Sequence, residues 1–394
     1  FSIGVYRRNL SELLFTQPYG KVGTLAFDPG IRTGRKWVLL SDTGALVEFG
    51  KTNDGNALLV VERFQKQFSG LVIAVGNGTG SQELYRILAE TDKKVFLISE
   101  DGASIYSASK EAREEFPDLD LIYRGSVSIG RRFQDPLNEL VKVTPESLGV
   151  GEYQHDINKK LLSEKLSETV YFTVNKVGAD LNFASEKLLS FISGISPRIA
   201  SNIIIKREAE GSFKTRRDVM KVKGFGEKGF EQAEGFLRVF ESDDIIDSTA
   251  IIKEQLPVLK KIFGHFKISG RPLPEGLAEV EVNILKDFLS PEEFDTGAFI
   301  LEELKNAGRD PRVTGAYIAF VPAIKNEKEL LPGKKINARI KNITSFGVFT
   351  DSGAHSDVFI PGAAAYSEGR YQVGQIVDIK IISKNNKGIT GEIL

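Results

Sequence analysis

The sequence predicts a multidomain protein in which an α/β domain is followed by an all-α region and an all-β barrel. Strands alternate with helices in the first part, apolar residues then recur with helical spacing, and short strands separated by glycines end the chain. A length of 394 residues with 41% hydrophobic side chains suffices for several cores and excludes wholesale disorder. We expect five segments: residues 1–22, a helix connecting to a region that would precede them; 23–152, the α/β domain; 153–242, the all-α region; 243–328, a helical connector; and 329–394, the barrel.

Charge and composition exclude several classes of function. The 52 basic and 53 acidic residues give a net charge of −1, which argues against DNA binding by bulk electrostatics but leaves local basic patches open. Cysteine is absent from the sequence, which excludes disulfides, thiolate zinc sites, iron–sulfur clusters and cysteine nucleophiles. No apolar run reaches the ~20 residues of a membrane span and no signal peptide is visible. We therefore expect a cytoplasmic monomer without membrane partners, and the missing initiator methionine suggests a piece of a longer protein.

The α/β domain has the order of elements of a ribonuclease-H-like sheet. Its predicted strands are residues 24–28, 36–41, 45–49, 71–75 and 95–99, and its predicted helices are 57–67, 81–90, 106–115 and about 127–143. Asp28 ends the first strand and Glu100 follows the last one. In open α/β sheets ligands bind beyond the carboxyl ends of the strands, and nucleases of this class hold two Mg²⁺ ions there between carboxylates.

A nuclease site needs a third carboxylate from the last helix, and Asp135 is the only well-placed acid in the sequence. Asp135 precedes Pro136, a pair that is also typical of the N-cap and first turn of a new helix. Asp28 precedes Pro29-Gly30 and could equally start a turn. Both carboxylates thus have a structural interpretation beside the metal-binding one, and the sequence leaves the two open.

The all-α region contains two segments with the helix–hairpin–helix pattern. Each has apolar residues that lead into a tight turn and a second helix, and the turns are Gly194-Ile195-Ser196 and Gly224-Phe225-Gly226. Glycine permits the turn and a close approach of the backbone, and the free N–H groups of the following helix favour a phosphate oxygen. Such contacts hold nucleic acid without reading its sequence.

Basic residues flank both hairpins, as expected for phosphate contacts. They are Arg198, Lys206, Arg207, Lys214, Arg216, Arg217, Lys221, Lys223 and Lys228. We expect Arg198 and Lys228, next to the turns, to contact the backbone of a nucleic acid. Ser196 stands where a second glycine is expected, and Phe230 stands where a small residue is usual. An ordinary αα-corner is the alternative interpretation of each hairpin, and the connector is interpreted as purely structural.

The last segment is predicted to be an OB-type barrel of five strands, at residues 335–343, 347–350, 358–361, 376–383 and 388–393. The strings Ile343-Thr-Ser-Phe-Gly-Val-Phe-Thr-Asp351 and His355-Ser-Asp-Val-Phe-Ile-Pro361 resemble an S1 domain. In such barrels bases stack on exposed rings while cations track the backbone. We expect Phe346, His355 and Phe359 to stack on bases, and Phe349 to belong to the same face. Arg339 and Lys341 are the expected phosphate contacts, and burial of Phe349 and Phe359 in the core is the alternative.

Several longer strings resemble the Tex family of bacterial transcription accessory proteins. In the α/β domain they are Asp28-Pro-Gly-Ile-Arg-Thr-Gly34, Gly76-Asn-Gly-Thr79, Ser99-Glu-Asp-Gly-Ala-Ser-Ile-Tyr-Ser-Ala-Ser109 and Gln134-Asp-Pro-Leu137. In the all-α region they are Asp180-Leu-Asn-Phe-Ala-Ser185 and Phe213-Lys-Thr-Arg-Arg-Asp218. The resemblance implies a YqgF (RuvC-like) domain, a tandem helix–hairpin–helix domain and an S1 domain, which together form the C-terminal portion of such a protein.

This resemblance implies a non-catalytic factor acting in transcription. We expect it to bind RNA or single-stranded DNA through the barrel and duplex DNA or backbone through the hairpins, with no required cofactor. The alternative is a Mg²⁺-dependent RuvC-like nuclease or resolvase that uses Asp28, Glu100 and Asp135. A third interpretation is a scaffold that binds components of the transcription or translation machinery.

Overall fold

The computed structural model describes residues 2–30, 34–68, 70–91, 94–151, 158–312, 327–344, 346–354, 356–362, 371–385 and 388–394. The chain forms two compact units, one of Phe1–Val170 with Thr314–Leu394 and the other of Tyr171–Val313. The boundaries between these units fall inside two of the five segments predicted from the sequence, 153–242 and 243–328, and the five-segment division stays a prediction. In the described part of the chain, no helix is long and apolar enough to cross a membrane.

The first unit begins with a helix and an α/β sheet. The elements are α1 (Ser2–Leu14), β1 (Thr24–Asp28), β2 (Arg35–Leu40), β3 (Leu46–Thr52), α2 (Asp54–Gln65), β4 (Val72–Gly76), α3 (Ser81–Leu88) and β5 (Val95–Ile98). The strand order is β3-β2-β1-β4-β5, with β1, β2 and β3 antiparallel and β1, β4 and β5 parallel. This confirms the predicted ribonuclease-H-like sheet.

Two layers of helices cover the sheet. One face packs on α2 and α3 through a core that includes Phe27, Trp37 and Phe64. The other face lies under α6 (Leu121–Gln134), which follows α4 (Ala103–Ala108) and α5 (Lys110–Glu115) and precedes α7 (Pro136–Leu140). Two predicted helices are therefore each split in two, because Ser109 and Asp135 cap new helices at the breaks.

The second unit holds the hairpins and the connector. After α8 (Lys159–Val177), the hairpin region contains β6 (Ala179–Asp180), α9 (Glu186–Leu189), α10 (Pro197–Glu210), a 3₁₀ helix at Arg216–Lys221, α11 (Glu227–Ala233) and β7 (Leu237–Arg238). The short strands β6 and β7 pair in parallel and join the two ends of this region. The connector contains α12 (Leu256–Phe266), α13 (Phe294–Lys305) and several 3₁₀ turns around its own apolar core.

The chain ends in a five-stranded barrel that belongs to the first unit. Its strands are β8 (Lys335–Ile343), β9 (Gly347–Asp351), β10 (Val358–Pro361), β11 (Ile376–Asn385) and β12 (Gly388–Ile393), closed in the order β10-β12-β11-β8-β9. The β10–β12 pair is parallel and the other pairs are antiparallel. The predicted OB-type barrel is confirmed.

Helix α1 joins the barrel to the α/β domain within the first unit. The buried Asn9 amide donates hydrogen bonds to the backbone carbonyls of Val150 (3.0 Å) and Ile343 (2.9 Å) and to the side chain of Asn342. One turn along the helix, the Glu12 carboxylate accepts the Val373 N–H at 2.8 Å. Because buried amides and carboxylates are costly to leave unpaired, these bonds fix the barrel against the rest of the unit.

Candidate functional site

Three phenylalanine rings form one surface of the barrel, which we call the aromatic face (Phe346, Phe349 and Phe359). Phe346 is 43% exposed and the other two are half-buried. The ring centroids lie 5.0 to 6.2 Å apart. As far as the described residues show, the barrel core consists of other, mainly aliphatic, side chains. The structure thus places Phe349 and Phe359 outside the core, on the same face as Phe346.

A glycine makes this face possible. A Cβ added at Gly347 would lie 2.5 Å from the ring of Phe359, so only glycine lets that ring lie across β9. Phe349 and Phe359 are direct cross-strand partners on β9 and β10, which brings their rings together. His355, the other predicted stacking residue, lies outside the described residues.

The structure contradicts the prediction that Arg339 contacts phosphate. Arg339 is only 5% exposed, and its guanidinium donates to the Asp351 carboxylate at 2.9 Å. The two residues are cross-strand partners on β8 and β9, and the carboxylate is equally buried. A buried, paired guanidinium is a structural group, so a nucleic acid on the barrel surface would not reach it without breaking the pair.

Lys341 is also engaged, although less completely. Its ammonium is 3.1 Å from the Asp357 carboxylate, and about a third of each side chain is exposed. Although burial opposes it, the charges of Asp357, Asp101 and Asp351 raise the pKa of Lys341. Lys341 and Asp101 line the same small pocket of the first unit, so this lysine faces the α/β domain. Its role as a phosphate contact stays a prediction.

The first hairpin is a tightly packed turn. Gly194 adopts φ +83°, and a Cβ there would lie 2.9 Å from both the Gly229 carbonyl and the Gln232 side chain. Ile195 is buried, and its N–H donates to the Ile192 carbonyl within the turn. Ile195 thus anchors the hairpin, and the structure does not support a contact of its side chain with nucleic acid.

Ser196 takes a role that the sequence pattern does not assign to it. Its hydroxyl accepts the Ile199 N–H at 3.3 Å and so caps helix α10, which Pro197 begins. A glycine at this position would leave that N–H to solvent or to a ligand. The substitution of serine for the expected second glycine therefore satisfies one of the donors that the prediction assigned to phosphate.

The second hairpin is open. Gly224 adopts φ +84°, and a Cβ added at Gly224 or Gly226 would find no atom within 4 Å. Gly226 precedes α11 and supplies no side-chain cap. Phe225 is buried like Ile195, and its N–H donates to the Val222 carbonyl, so it too anchors its turn. Phe230, where a small residue was expected, is buried and lies 6.0 Å from the Arg217 guanidinium.

The basic residues of this region divide into two groups, apart from the half-buried Lys206, whose ammonium pairs with the Glu210 carboxylate. Arg216 is buried and its guanidinium binds the Asp247 carboxylate and three backbone carbonyls, while Arg207 donates to the carbonyls of Leu181 and Ala184. These two are structural. The exposed cations are Arg198, Lys214, Arg217, Lys221, Lys223 and Lys228. Among the described residues Arg198 and Lys228 form no ion pair, so both remain available to an external anion.

The carboxylates of Asp28 and Glu100 lie near each other at the carboxyl edge of the sheet. Asp28 Oδ1 accepts the Gly30 N–H at 3.1 Å, which is the turn geometry that the sequence left as an alternative. The carboxylate of Glu100 rests on the loop after β4, where a Cβ at Gly78 would overlap it. Burial, followed by the negative charge of Asp28, raises the pKa of Glu100.

Asp135 is not part of this pair. It caps α7 by accepting the Asn138 N–H at 3.2 Å. The side chain of the adjacent Gln134 donates to the backbone carbonyls of Val22, which precedes β1, and Ser41, which follows β2. Both carbonyls lie at the end of these paired strands that is away from Asp28. The structural interpretation of Asp135 is therefore the one that the geometry supports. Where α6 passes Asp28 the chain has Gly125, whose added Cβ would lie 3.8 Å from Asp28 Oδ2.

Two residues that the sequence analysis did not single out determine whether this edge of the sheet can hold a metal ion. Lys36 is the cross-strand partner of Asp28, and its ammonium lies 3.8 Å from Asp28 Oδ2 with the side chain 10% exposed. Gly125 stands where a third carboxylate would approach. Within the described ranges no group of three or more acidic or histidine side chains could hold a metal ion. These donors do not fit a two-metal centre, which needs several oxygen ligands and no competing ammonium.

The fold and these sites define a multidomain protein that joins ribonuclease-H-like, helix–hairpin–helix and OB-barrel modules. Residues 22–134 match the Tex protein YqgF-like domain, and residues 174–238 match the helix-hairpin-helix motif. The chain belongs to the Tex family.

Curated relatives agree with this assignment. The chain is 38% identical to "Transcriptional accessory protein Tex" of Neisseria gonorrhoeae over 97% of its own length and 53% of that protein. It is 37% identical to "Protein YhgF" of Escherichia coli K12, over 97% of the chain and 52% of that protein. It is 38% identical to the human "S1 RNA-binding domain-containing protein 1" over 60% of the chain and 25% of that protein. The chain thus spans about half the length of the bacterial relatives.

Proposed function

We propose that this chain is the nucleic-acid-binding portion of a transcription accessory factor, without catalytic activity. In this proposal the aromatic face binds RNA or single-stranded DNA, and the second hairpin binds the phosphate backbone of a nucleic acid regardless of sequence. The observation that carries the proposal is the aromatic face. A cytoplasmic location, a monomeric state and contacts with transcription or translation proteins belong to the same proposal.

The aromatic face has the properties of a stacking platform. Its three rings lie outside the buried cluster that forms the barrel core, and Phe346 is 43% exposed, so a base could reach them. Base–ring stacking tolerates any base, because every base has a π face. Since Arg339 is committed to Asp351 and Lys341 pairs with Asp357, we expect stacking to dominate binding here. The name of the human relative, which includes an S1 RNA-binding domain, supports RNA as a ligand.

The hairpins supply the contacts to phosphate. Residues 174–238 match the helix-hairpin-helix motif, and the turn at Gly224 has the open surroundings that a close backbone approach requires. Lys228 follows this turn on α11, and Arg198 follows the first turn on α10. Both cations are exposed, so both are placed to release counterions from a bound backbone.

The nuclease alternative is not favoured, although Asp28 and Glu100 lie near each other. Asp135 lies away from Asp28 and Glu100, and a lysine occupies the space beside Asp28. The proposal therefore assigns the ribonuclease-H-like domain no chemistry.

The aromatic face is tested by a matched pair of substitutions. Phe346→Ala should weaken binding of a single-stranded oligonucleotide by ~1–3 kcal/mol, which is roughly 5- to 150-fold in Kd. Phe49→Ala is the control, because Phe49 is 45% exposed on the edge strand of the α/β sheet and belongs to no proposed site. Fluorescence anisotropy with RNA and with single-stranded DNA measures both variants. Equal losses in the two variants, or no loss in either, would contradict the assignment.

The hairpin contacts are tested by salt dependence. Lys228→Ala and Arg198→Ala should each reduce the slope of log K against log salt for duplex DNA by about 0.9. Lys260→Ala, which removes an exposed lysine from α12 of the connector, should leave the slope unchanged. Titrations at four or more salt concentrations give the slopes. If the connector variant changes the slope as much as the hairpin variants do, the cations act only through net charge.

A further inference from the structure

The edge of the ribonuclease-H-like sheet carries two carboxylates and one ammonium in the space where enzymes of this fold hold metal ions. Asp28 and Lys36 face each other across β1 and β2, on the side of the sheet that α6 covers. Glu100 approaches from the end of β5 and rests against Gly76 and Gly78.

Helix α6 contributes no oxygen ligand at this edge. Its sequence, Leu121–Gln134, contains neither Asp nor Glu. At its closest approach to Asp28 it presents Gly125, and Gly130 lets the helix pack directly on the sheet, since a Cβ there would lie 2.9 Å from Ala26. The helix is thus shaped for close packing on the sheet, and the described residues leave two carboxylates where a divalent cation needs more oxygen ligands.

The charge at this edge is compensated by the chain itself. The Lys36 ammonium lies 3.8 Å from Asp28 Oδ2 and is almost completely shielded from solvent. The Arg132 guanidinium is fully buried, and it donates to the carbonyls of Ser99 (2.9 Å) and Asp101 (2.8 Å), which flank Glu100. A divalent ion placed between the carboxylates would be repelled by both cations, and the repulsion would be poorly screened at this depth.

We propose that the ammonium of Lys36, which approaches Asp28 from β2, neutralises this carboxylate in place of a divalent cation, so that this edge of the sheet binds no metal. Lys36 is then a positioning residue, which holds Asp28 and the turn at Gly30 through charge. The carboxylate pair is retained as part of the packing of β1, β4 and β5. Removal of the ammonium should turn the same edge into a metal site.

The test measures binding of Mn²⁺ alone to the full chain, by electron paramagnetic resonance of the free ion. The wild-type protein should show no binding that depends on Asp28. Lys36→Met should gain Mn²⁺ binding at least about tenfold above the residual non-specific binding of the wild type, because a cation has left and two carboxylates remain. The double variant with Asp28→Asn should lose this binding. Lys36→Arg keeps the charge and Lys51→Met removes the lysine one strand further out, and both should behave as the wild type.

Thermal unfolding supplies a second measurement. Lys36→Met should have a lower Tm than the wild type, and Mn²⁺ should raise it again, whereas Mg²⁺ or Mn²⁺ should not change the Tm of the wild type at matched ionic strength. Wild-type stabilisation or binding by Mn²⁺ that Asp28→Asn abolishes would overturn the proposal, and this arm applies even if Lys36→Met does not fold. A folded Lys36→Met protein that binds Mn²⁺ no better than the wild type would overturn it as well.

Discussion

The two hairpins share a sequence pattern and an exposed cation after the turn, yet the turns differ in how closely they are packed and in how the following helix is capped. In the first, Gly194 is enclosed by the backbone and side chains of α11, and Ser196 caps the helix that follows. In the second, Gly224 and Gly226 face open space and no side chain caps the helix. The difference shows that glycine can have two separate roles in such a turn. It allows close packing in the first hairpin and leaves room for a ligand in the second.

The largest expected difference between the hairpins is in the free energy of unfolding. Gly194→Ala should cost about 3 kcal/mol for two reasons. The alanine would have to adopt the left-handed backbone conformation of Gly194, and its Cβ would also overlap the Gly229 carbonyl and Gln232. Gly224→Ala has the same backbone strain without the overlap and should cost only about 1–2 kcal/mol. Urea unfolding of the two variants measures the contrast. Equal costs would mean that the first turn is no more tightly packed than the second.

Exchange of the caps tests the contrast at the helix starts. Ser196→Ala should destabilise the protein by about 1 kcal/mol, because the Ile199 N–H loses its acceptor. Gly226→Ser should instead stabilise it by roughly 0.3 kcal/mol, since a serine fits the open space and caps α11. The same serine should weaken binding of duplex DNA, because its hydroxyl takes a donor from the phosphate. Chemical unfolding measures the stability of both variants, and fluorescence anisotropy measures their binding to duplex DNA. Unchanged duplex binding in Gly226→Ser would contradict the assignment of the second hairpin as a phosphate contact.

A further small effect on stability is expected at Asp218, which organises the start of the second hairpin. Its carboxylate accepts Lys221 Nζ at 2.6 Å and the Thr215 N–H at 2.9 Å, and the bond from Lys221 is the main cause of its lowered pKa. A lowered pKa means stability that is present at neutral pH and is lost as the pH falls below about 3.8 through the folded-state value.

Asp218→Asn should therefore cost about 0.5 kcal/mol at pH 7, a small value because the side chain is near the surface. The difference from the wild type should disappear on acidification. Chemical unfolding across pH 7 to 3 follows it. A difference that grows toward low pH would show that the sign of the linkage is wrong.

The sequence predicts the architecture well, because each element has a local signal. The strand order of the sheet follows from three strands joined by turns and two crossover helices, and the hairpins follow from Gly194 and Gly224. The five strands of the barrel lie within one or two residues of their predicted bounds. The break at Asp135 was one of the two interpretations that the sequence left open, and the break at Ser109 could have been found as well, since serine is a common N-cap residue.

Whether an individual side chain is paired, buried or exposed depends on partners that are distant in the chain, so the sequence alone could not predict it. Arg339 has the composition of a phosphate contact, but the register of β8 and β9 places it opposite Asp351. Lys36 lies in a strand with no motif of its own, and only the pairing of β1 with β2 brings it to Asp28. Phe349 and Phe359 alternate with core residues along their strands. The two-residue alternation of a strand does not show by itself which residues face the core and which face the barrel surface.

The hydrogen bonds of α1 have a consequence for how this protein can be divided. Asn9 and Ile343 are 334 residues apart in sequence, yet one side-chain amide serves both the α/β domain and the barrel. A chain that stops before residue 329 leaves the Asn9 amide with the Val150 carbonyl but without its two acceptors in the barrel. It also removes the Val373 N–H that the Glu12 carboxylate accepts. The first unit therefore includes both helix α1 and the barrel, and synthesis must pass residue 373 before these hydrogen bonds can all form.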